Sequence, residues 1–261
     1  MGRAKAWLPW FGGRTLVEHV VERLRPAVDE VVVVTSADLD LPPLEARVVR
    51  DREPERGPLA GLRDGLAAVE SDFAFVTATD APFLTPAYVG AMLDRGVACA
   101  PVADGHVQVL SAVMPRAGAA LAERLLTAGR ARPLALLEAL DFVAIDEGEL
   151  DVGETPPWLG FNTPEAYLDA VRAEDPGAQC EVELLGRAAT DGVPPVVTSP
   201  VGSLGDVLAH VTTGRELTLV EEDRVARAHL VSLGGRDLVR ALGLPVGPGE
   251  RVTVLDAQAG G

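Results

Sequence analysis

The fold is decided by the stretch Phe73-Ala-Phe-Val-Thr-Ala-Thr-Asp-Ala-Pro-Phe-Leu84. It begins as an apolar run typical of a strand that is buried on both faces of a sheet. The run stops at Asp80, and Pro82 cannot continue the strand. A carboxylate at that edge of an open α/β sheet is placed where ligands bind, and it is suited to hold Mg²⁺ against phosphates. The alternative is that Asp80 only ends the strand, with Thr85 capping the next helix.

Predicted strands and helices alternate on both sides of this stretch. The further strands are 31–34, 47–51, 97–102, 108–113 and 142–145. The helices are 15–24, 57–69, 86–95, 118–126, 133–140 and 162–173. Such alternation is typical of parallel βαβ units, and it predicts an α/β fold with a doubly wound, mostly parallel sheet.

A polar segment with Pro and Gly, residues 173–179, is the best predicted domain boundary. Beyond it the pattern predicts strands at 180–185, 195–198, 228–233 and 251–255, with a helix at 203–211. The strand at 195–198 is expected to pair with the one at 180–185. The sequence therefore predicts one domain over residues 1–173 and a small α+β domain over residues 180–261.

Composition excludes several classes of protein. A formal net charge of −16 and a pI near 4.6 argue against binding to nucleic acid, which requires basic surface. Cys99 and Cys180 lie far apart in the sequence and fit no metal-site spacing. No apolar run is long enough to span a membrane, and the first residues do not resemble a signal peptide. We expect a soluble cytoplasmic protein without a membrane partner.

The first residues carry two candidate phosphate ligands, Arg3 and Lys5. Lys5 is the only lysine among the 23 basic residues. A compact ammonium acts as a point charge on phosphate, and a planar guanidinium replaces it poorly. The alternative is a solvated basic segment without a ligand.

A second candidate site is the glycine-containing helix start at Gly57, Pro58, Leu59 and Gly61. Glycine lets the backbone approach a ligand closely, and a helix N-terminus favours an anion or a base edge. Asp51 precedes this loop and could accept hydrogen bonds from a nucleobase or a ribose. The alternative is an ordinary turn that starts a helix, with Asp51 as an exposed turn residue.

Four motifs together resemble the molybdenum cofactor guanylyltransferases, which join GMP to molybdopterin. They are Met1-Gly-Arg-Ala-Lys-Ala-Trp-Leu-Pro9, Gly57-Pro-Leu-Ala-Gly-Leu62, Thr79-Asp-Ala-Pro-Phe-Leu84 and Phe161-Asn-Thr-Pro-Glu165. Their order and rough spacing match that family over residues 1–173. The family also has a further strand and a Gly-rich loop ahead of the Met-Gly motif, which these 261 residues do not contain.

The resemblance implies a Rossmann-like nucleotidyltransferase with GTP and molybdopterin as substrates and Mg²⁺ as cofactor. It implies that Lys5 contacts the nucleotide phosphates and acts in catalysis with Asp80, which binds the metal. Asp51 and the loop Gly57–Gly61 would line the guanine side. Asn162 resembles the family's asparagine near the pterin.

The end of the sequence has a resemblance of its own. Leu233-Gly-Gly-Arg-Asp237, Gly247-Pro-Gly-Glu-Arg-Val252 and the terminal Ala259-Gly-Gly261 resemble the ubiquitin-like (β-grasp) sulfur carriers, including the small subunit of molybdopterin synthase. The resemblance implies a thiocarboxylate on Gly261. It also implies two protein partners, a sulfur-activating adenylyltransferase and the large subunit of molybdopterin synthase. The alternative is a terminus that ends in glycine by chance.

These observations predict a fusion for molybdenum cofactor biosynthesis. Its first domain would transfer GMP from GTP to molybdopterin and release pyrophosphate, and its second domain would carry sulfur. Within enzymes, the alternative is a cytidylyltransferase for the same cofactor or another small-phosphate nucleotidyltransferase. The non-enzymatic alternative is a sulfur carrier attached to an inactive nucleotidyltransferase scaffold.

Overall fold

The computed structural model describes residues 2–186, 189, 195–214 and 217–256. Gly261, the predicted thiocarboxylate terminus, lies outside the described residues. Contacts divide the chain into two compact units, and each is described by itself. The central unit comprises residues 16–160, and the terminal unit comprises residues 1–15 together with 161–261. The domain ranges 1–173 and 180–261 stay a prediction.

The helices and strands of the described residues follow in chain order. The helices are α1 (Leu16–Leu24), α2 (Pro58–Ala68), α3 (Pro86–Leu93), α4 (Gly118–Thr127), α5 (Pro133–Ala139), α6 (Pro164–Glu174) and α7 (Leu204–Thr212). The strands are β1 (Pro9–Trp10), β2 (Arg14–Thr15), β3 (Val32–Thr35), β4 (Arg47–Arg50), β5 (Phe73–Thr77), β6 (Cys99–Ala103), β7 (His106–Val107), β8 (Ser111–Pro115), β9 (Val143–Asp146), β10 (Gln179–Leu184), β11 (Val196–Pro200), β12 (Gly202–Ser203), β13 (Val220–Glu221), β14 (Arg224–Val225), β15 (His229–Leu233), β16 (Asp237–Val239), β17 (Pro245–Val246) and β18 (Arg251–Asp256).

The sheets of the central unit are mixed, so the prediction of a mostly parallel sheet is wrong. β3 and β4 form a parallel pair, and β9 is parallel to β6. The pairs β5–β8, β8–β6 and β6–β7 are antiparallel. For β6 and β7 the cause is the two-residue turn between Ala103 and His106, because so short a connection can join only antiparallel strands. Asp104 and Gly105 both have positive φ in this turn, the conformation for which Asp-Gly is favoured.

β5 differs from its prediction in burial. Its five residues are all partly buried, whereas a strand buried on both faces was predicted. β3 and β5 lie in separate hydrogen-bonded sheets in the described part of the chain. Both strands line an apolar cavity of about 420 Å³ that α1 and α2 also line. The apolar run of β5 therefore faces a cavity as well as packed neighbours.

The helices of the central unit follow their apolar spacing. In α1 the buried residues are Leu16, Val17, Val20, Val21 and Leu24, one face at the helical period. α2 packs with α4 and α5 in a separate apolar cluster that includes Leu59, Leu66 and Leu136. α2 also contacts β4, and Ala74 and Val76 of β5 pack against the same cluster.

The terminal unit contains a five-stranded sheet in the order β11-β10-β18-β15-β16. β10 and β11 pair, as predicted, in an antiparallel direction that was not predicted, and β18 is parallel to β10. Ser203 and Asp206 form a reciprocal capping box at the start of α7. The apolar face of α7 packs on the sheet through Leu204, Val207, Leu208 and Val211.

Candidate functional site

Asp51 lies directly after β4, beside the first turn of α2. Its backbone N–H donates to the carbonyl of Thr35 at 2.8 Å, and its carboxylate Oδ1 accepts the N–H of Glu53 at 2.9 Å. A Cβ added to Gly61 would lie 3.7 Å from the Asp51 Oδ2 atom, so this oxygen faces the helix backbone. The predicted pair of Asp51 and Gly61 is therefore brought together by the fold.

The start of α2 carries no side-chain cap. Gly57 is the N-cap residue with φ of 84° and Pro58 is the first helical residue. The N–H groups of a first turn have no partner within the helix, and they carry partial positive charge. Leu59 is fully buried, so it can contribute to a site only through its backbone. This end of α2 is suited to polar or anionic groups.

Asp80 lies in the loop after β5, and this loop is fixed by packing. Ala81 and Leu84 are buried, and the carbonyl of Pro82 lies 3.0 Å from Nε2 of His19. A Cβ added to Gly160 would lie 3.1 Å from the Asp80 carbonyl and 3.2 Å from its Oδ2 atom. The two backbones therefore approach closely at Gly160, and a larger residue there would fit only if the Asp80 segment shifted by a few tenths of an ångström.

In the terminal unit, the fold brings together two other predicted residues. Lys5 lies in a 3₁₀ turn, Lys5–Trp7, and its Nζ donates to Oδ1 of Asn162 at 3.0 Å. Next to them Trp10, Phe161 and Tyr167 pack their rings with centroids 5.9 to 6.4 Å apart. The Tyr167 hydroxyl donates to the carbonyl of Pro9 at 2.5 Å, and burial raises the pKa of this tyrosine. The aromatic cluster therefore fixes the segment that carries Lys5.

Arg3 has a different environment from Lys5. Its guanidinium forms a buried, two-pronged ion pair with Glu250, at 2.6 and 3.0 Å, and also donates to the carbonyl of Pro245. The two side chains are only 5% and 3% exposed. A contact from Arg3 to phosphate would require this pair to open. We therefore leave Arg3 out of the proposed site.

The residues that the sequence analysis missed are Arg63 and Asp64, both buried in α2. The Asp64 carboxylate accepts the backbone N–H of Arg52 at 2.9 Å and hydrogen bonds from the guanidinium groups of Arg52 and Arg63. Burial alone would raise the pKa of Asp64, but these hydrogen bonds outweigh it and hold the pKa far below its usual range. The missed signal was spacing, because Arg63 and Asp64 lie four residues after the buried Leu59 and Ala60.

The described residues contain neither a clustered metal site nor a membrane-spanning helix. No group of three or more His, Cys, Asp or Glu side chains could hold a metal ion there. No helix among the residues with described structure has the length and apolar character that crossing a membrane requires.

Comparison with known proteins identifies the family. The profile of the MobA-like NTP transferase domain matches residues 1–142, more than half of the 261 residues. The chain belongs to this family. The matched range includes Lys5, Asp51 and Asp80, whereas Asn162 lies beyond it. The MobA-like family consists of nucleotidyltransferases, enzymes that transfer a nucleotidyl group.

Named relatives of this MobA-like chain carry a more specific description. A probable molybdenum cofactor guanylyltransferase of Mycobacterium tuberculosis is 39% identical over 153 residues, which are 56% of this chain and 76% of the relative. A probable molybdenum cofactor guanylyltransferase of Chloroflexus aggregans is 34% identical over 137 residues, which are 50% of this chain and 66% of the relative.

A solved structure supports the fold. The molybdopterin-guanine dinucleotide biosynthesis protein A of Archaeoglobus fulgidus superposes with a TM-score of 0.54 and 24% identity, covering 65% of this chain and 89% of that protein. The MobA-like chain therefore has a nucleotidyltransferase α/β fold with mixed sheets in its first part.

Proposed function

We propose that this chain transfers GMP from GTP to the terminal phosphate of molybdopterin and releases pyrophosphate. The observation that carries the proposal is the pairing of Asp51 with the uncapped start of α2, within the range that matches the MobA-like family. Relatives named as probable molybdenum cofactor guanylyltransferases support the choice of substrates.

Asp51 and the turn Gly57–Gly61 would recognise guanine. A guanine edge presents the N1–H and 2-amino donors, and a carboxylate is an acceptor only. The Oδ1 atom of Asp51 is already occupied by the N–H of Glu53, whereas Oδ2 faces the first turn of α2. Oδ2 would accept the 2-amino group of guanine. Gly57 and Gly61 leave room for the base to approach the backbone.

Lys5 would bind the phosphates of the nucleotide. Its ammonium group is a compact charge with three donors, so it can bind a phosphate while one donor is shared with Asn162. Asn162 accepts a hydrogen bond from Lys5 and fixes its direction. We assign Asn162 to the pterin side of the reaction. In nucleotidyl transfer the protein mainly positions the two substrates and neutralises their negative charge, and it takes little part in covalent chemistry.

Asp80 would hold Mg²⁺. One carboxylate fits this ion, because Mg²⁺ is usually bound through one or two carboxylates, several waters and the phosphates of the substrate. A larger cluster of acidic ligands is therefore not needed. When bound, the ion neutralises charge on the triphosphate. The packed loop around Asp80 supplies the fixed position that such a ligand requires.

The test is the variant Asp80→Asn, assayed for transfer of labelled GMP from GTP to molybdopterin with Mg²⁺. We expect transfer to fall at least ~100-fold, because charge stabilisation by one essential group contributes that much in comparable sites. The melting temperature should stay near that of the unmodified protein. Asp94→Asn is the matched control, an exposed carboxylate at the C-terminal end of α3, and should retain full activity. Near-normal turnover by Asp80→Asn would reject the metal role.

We further propose that residues 180–261 form a ubiquitin-like (β-grasp) sulfur carrier. The supporting observation is the order β11-β10-β18-β15-β16 with a parallel central pair and α7 packed on one face. A sulfur-activating adenylyltransferase would adenylate the Gly261 carboxylate, and the large subunit of molybdopterin synthase would accept the sulfur. Intact-protein mass spectrometry, with the adenylyltransferase, ATP and a sulfur donor present, should show one terminal oxygen replaced by sulfur. A mass unchanged under those conditions would reject the carrier role.

A further inference from the structure

The loop that carries Asp51 is held by two buried residues of α2. Asp64 Oδ2 accepts the backbone N–H of Arg52 at 2.9 Å, and Asp64 Oδ1 accepts Nε and Nη2 of the same arginine at 2.8 and 2.5 Å. Arg63 Nη1 donates to Oε2 of Glu53 at 2.6 Å. The two residues that follow Asp51 are thus each bound to a different side chain of the helix.

The two anchoring side chains are also bound to each other. Arg63 donates from Nε to Asp64 Oδ1 at 2.9 Å and from Nη2 to Oδ2 at 3.2 Å. Their side chains are only 4% and 3% exposed. Arg63 has one further partner outside the loop, Glu123 on α4, at 3.0 Å. A buried pair of this kind has few alternative arrangements, because an unpaired charge in the interior is costly.

The anchored loop fixes the distance between Asp51 and the first turn of α2. Asp51 is adjacent in sequence to the clamped residues 52 and 53, and its Oδ2 atom faces Gly61 in the first turn of α2. The same helix that presents this turn also clamps the loop, one turn further along. Loss of the clamp would let Asp51 move relative to the turn without unfolding either.

We propose that Arg63 and Asp64 are positioning residues that set nucleobase selectivity by holding Asp51 at a fixed distance from the first turn of α2. The inference rests on the proposed role of Asp51 in guanine recognition. Arg63 and Asp64 do not touch the nucleotide, and they act through the backbone of Arg52 and the side chain of Glu53.

The test compares the dissociation constants of GTP and inosine triphosphate, measured by calorimetry on the full chain with Mg²⁺. Inosine triphosphate lacks only the 2-amino group that Asp51 Oδ2 would accept. We expect Asp64→Asn to reduce the preference for GTP roughly tenfold, the amount that one hydrogen bond of ordinary net strength supplies. Arg63→Lys should also reduce the preference for GTP, because a single ammonium group cannot bind Glu53 and Asp64 at the same time.

The ratio of the two dissociation constants distinguishes a positioning role of Arg63 and Asp64 from a purely stabilising one. If a residue only stabilised the fold, its substitution would unfold part of the protein and weaken the binding of GTP and of inosine triphosphate by the same factor. The ratio of the two dissociation constants would then not change. Glu123→Gln is the matched control, because it removes a charged partner of Arg63 that is not in the loop. It should leave the preference for GTP intact. A loss in Glu123→Gln as large as in Asp64→Asn would overturn the proposal.

Asp51→Asn separates this proposal from the assignment of the guanine site. The substitution keeps an oxygen for the N–H of Glu53 and turns the atom that faces α2 into a donor. If Asp51→Asn loses the preference while Asp64→Asn and Arg63→Lys keep it, positioning is overturned and the guanine site stands. If Asp51→Asn keeps the preference, both assignments are overturned.

Discussion

Asp64 shows how a buried carboxylate can stay ionised. Burial disfavours its charged form, but hydrogen bonds from Arg63 and Arg52 favour that form more strongly, so the pKa of Asp64 lies well below its usual value. The pKa of Arg63 is raised for the corresponding reason, chiefly by its hydrogen bond to Asp64. The charge on Asp64 is therefore a contribution to folding stability that depends on pH.

The pH dependence follows from the direction of this shift. A carboxylate with a lowered folded-state pKa contributes stability above its unfolded pKa, about 3.9, and loses that contribution as the pH falls through the folded value. We expect the unfolding free energy of the unmodified chain to exceed that of Asp64→Asn at neutral pH. The difference should shrink below about pH 4. Urea denaturation of both proteins over this range measures it. A difference that stays constant down to about pH 3 would contradict the assignment.

The strands β3 and β5 are elements whose apolar residues are not fully covered. Both line the cavity of about 420 Å³, together with α1 and α2. Side chains that line a void lack partner atoms on one side and lose the dispersion contacts that packed neighbours would give. The central unit therefore has room for additional apolar volume at this place, unlike the closed clusters elsewhere.

Val76→Ile should use that room. Val76 lies on β5, lines the cavity, and is partly buried. One added methylene should raise the unfolding free energy by up to ~0.8 kcal/mol, since isoleucine also keeps the β-branched shape.

Val89→Ile is the matched control for that substitution. Val89 lies on α3, is 0% exposed, and belongs to a closed apolar cluster. The same methylene should there lower the unfolding free energy, by about 1–3 kcal/mol, because the packed core must shift to accept it. Chemical denaturation of both variants gives the comparison. Equal losses in both would show that the cavity closes in solution.

How much of the elements could be predicted depends on the range of the interactions that form them. The spacing of Leu16, Val20 and Leu24 is local, and the helix α1 follows from it. The antiparallel direction of β7 relative to β6 is also encoded locally, in the turn Asp104-Gly105, whereas the alternation of strands and helices favours parallel units. The partial burial of β5 could not be predicted from the sequence. An apolar run indicates that a strand can be buried, but it does not indicate which neighbouring elements cover it.

In the candidate site, too, features that depend on local sequence could be predicted, and contacts between distant residues could not. The positions of Asp51 and Asp80 were predictable because each follows a strand at the place where the chain leaves the sheet, and their roles stay a prediction. The ion pair of Arg3 with Glu250 was not, since 247 residues separate the two and no spacing rule connects them. Arg3 therefore looked like a phosphate ligand on local sequence alone.

At the scale of the whole molecule, the first residues are held by the last hundred residues of the sequence. Arg3 pairs with Glu250, Lys5 with Asn162, and the guanidinium of Arg236 lies 3.5 Å from the ring centre of Trp7. Glu250 also accepts the N–H of Gly247 at 3.1 Å, so its carboxylate joins the first residues to the turn 247–250. The stability of that unit should depend strongly on this one carboxylate and its arginine.

Arg3→Met should lower the unfolding free energy of the terminal unit by roughly 3–5 kcal/mol, because it leaves the buried Glu250 charge without its partner. The affinity for GTP, measured where the protein remains folded, should not change. Arg251→Met is the matched control, since it removes an exposed arginine paired with Glu181, and little change is expected there. Weaker GTP binding by Arg3→Met without a loss of stability would restore Arg3 as a phosphate ligand.

The pairing of Arg3 with Glu250 also has a consequence for biosynthesis. At translation rates of about 5–20 residues per second, the ribosome needs on the order of 10–50 s to proceed from one partner to the other. Residues 16–160 are completed within that interval and are able to fold before Glu250 is made. The Arg3 guanidinium gains its carboxylate partner only after nearly the whole protein has been synthesised.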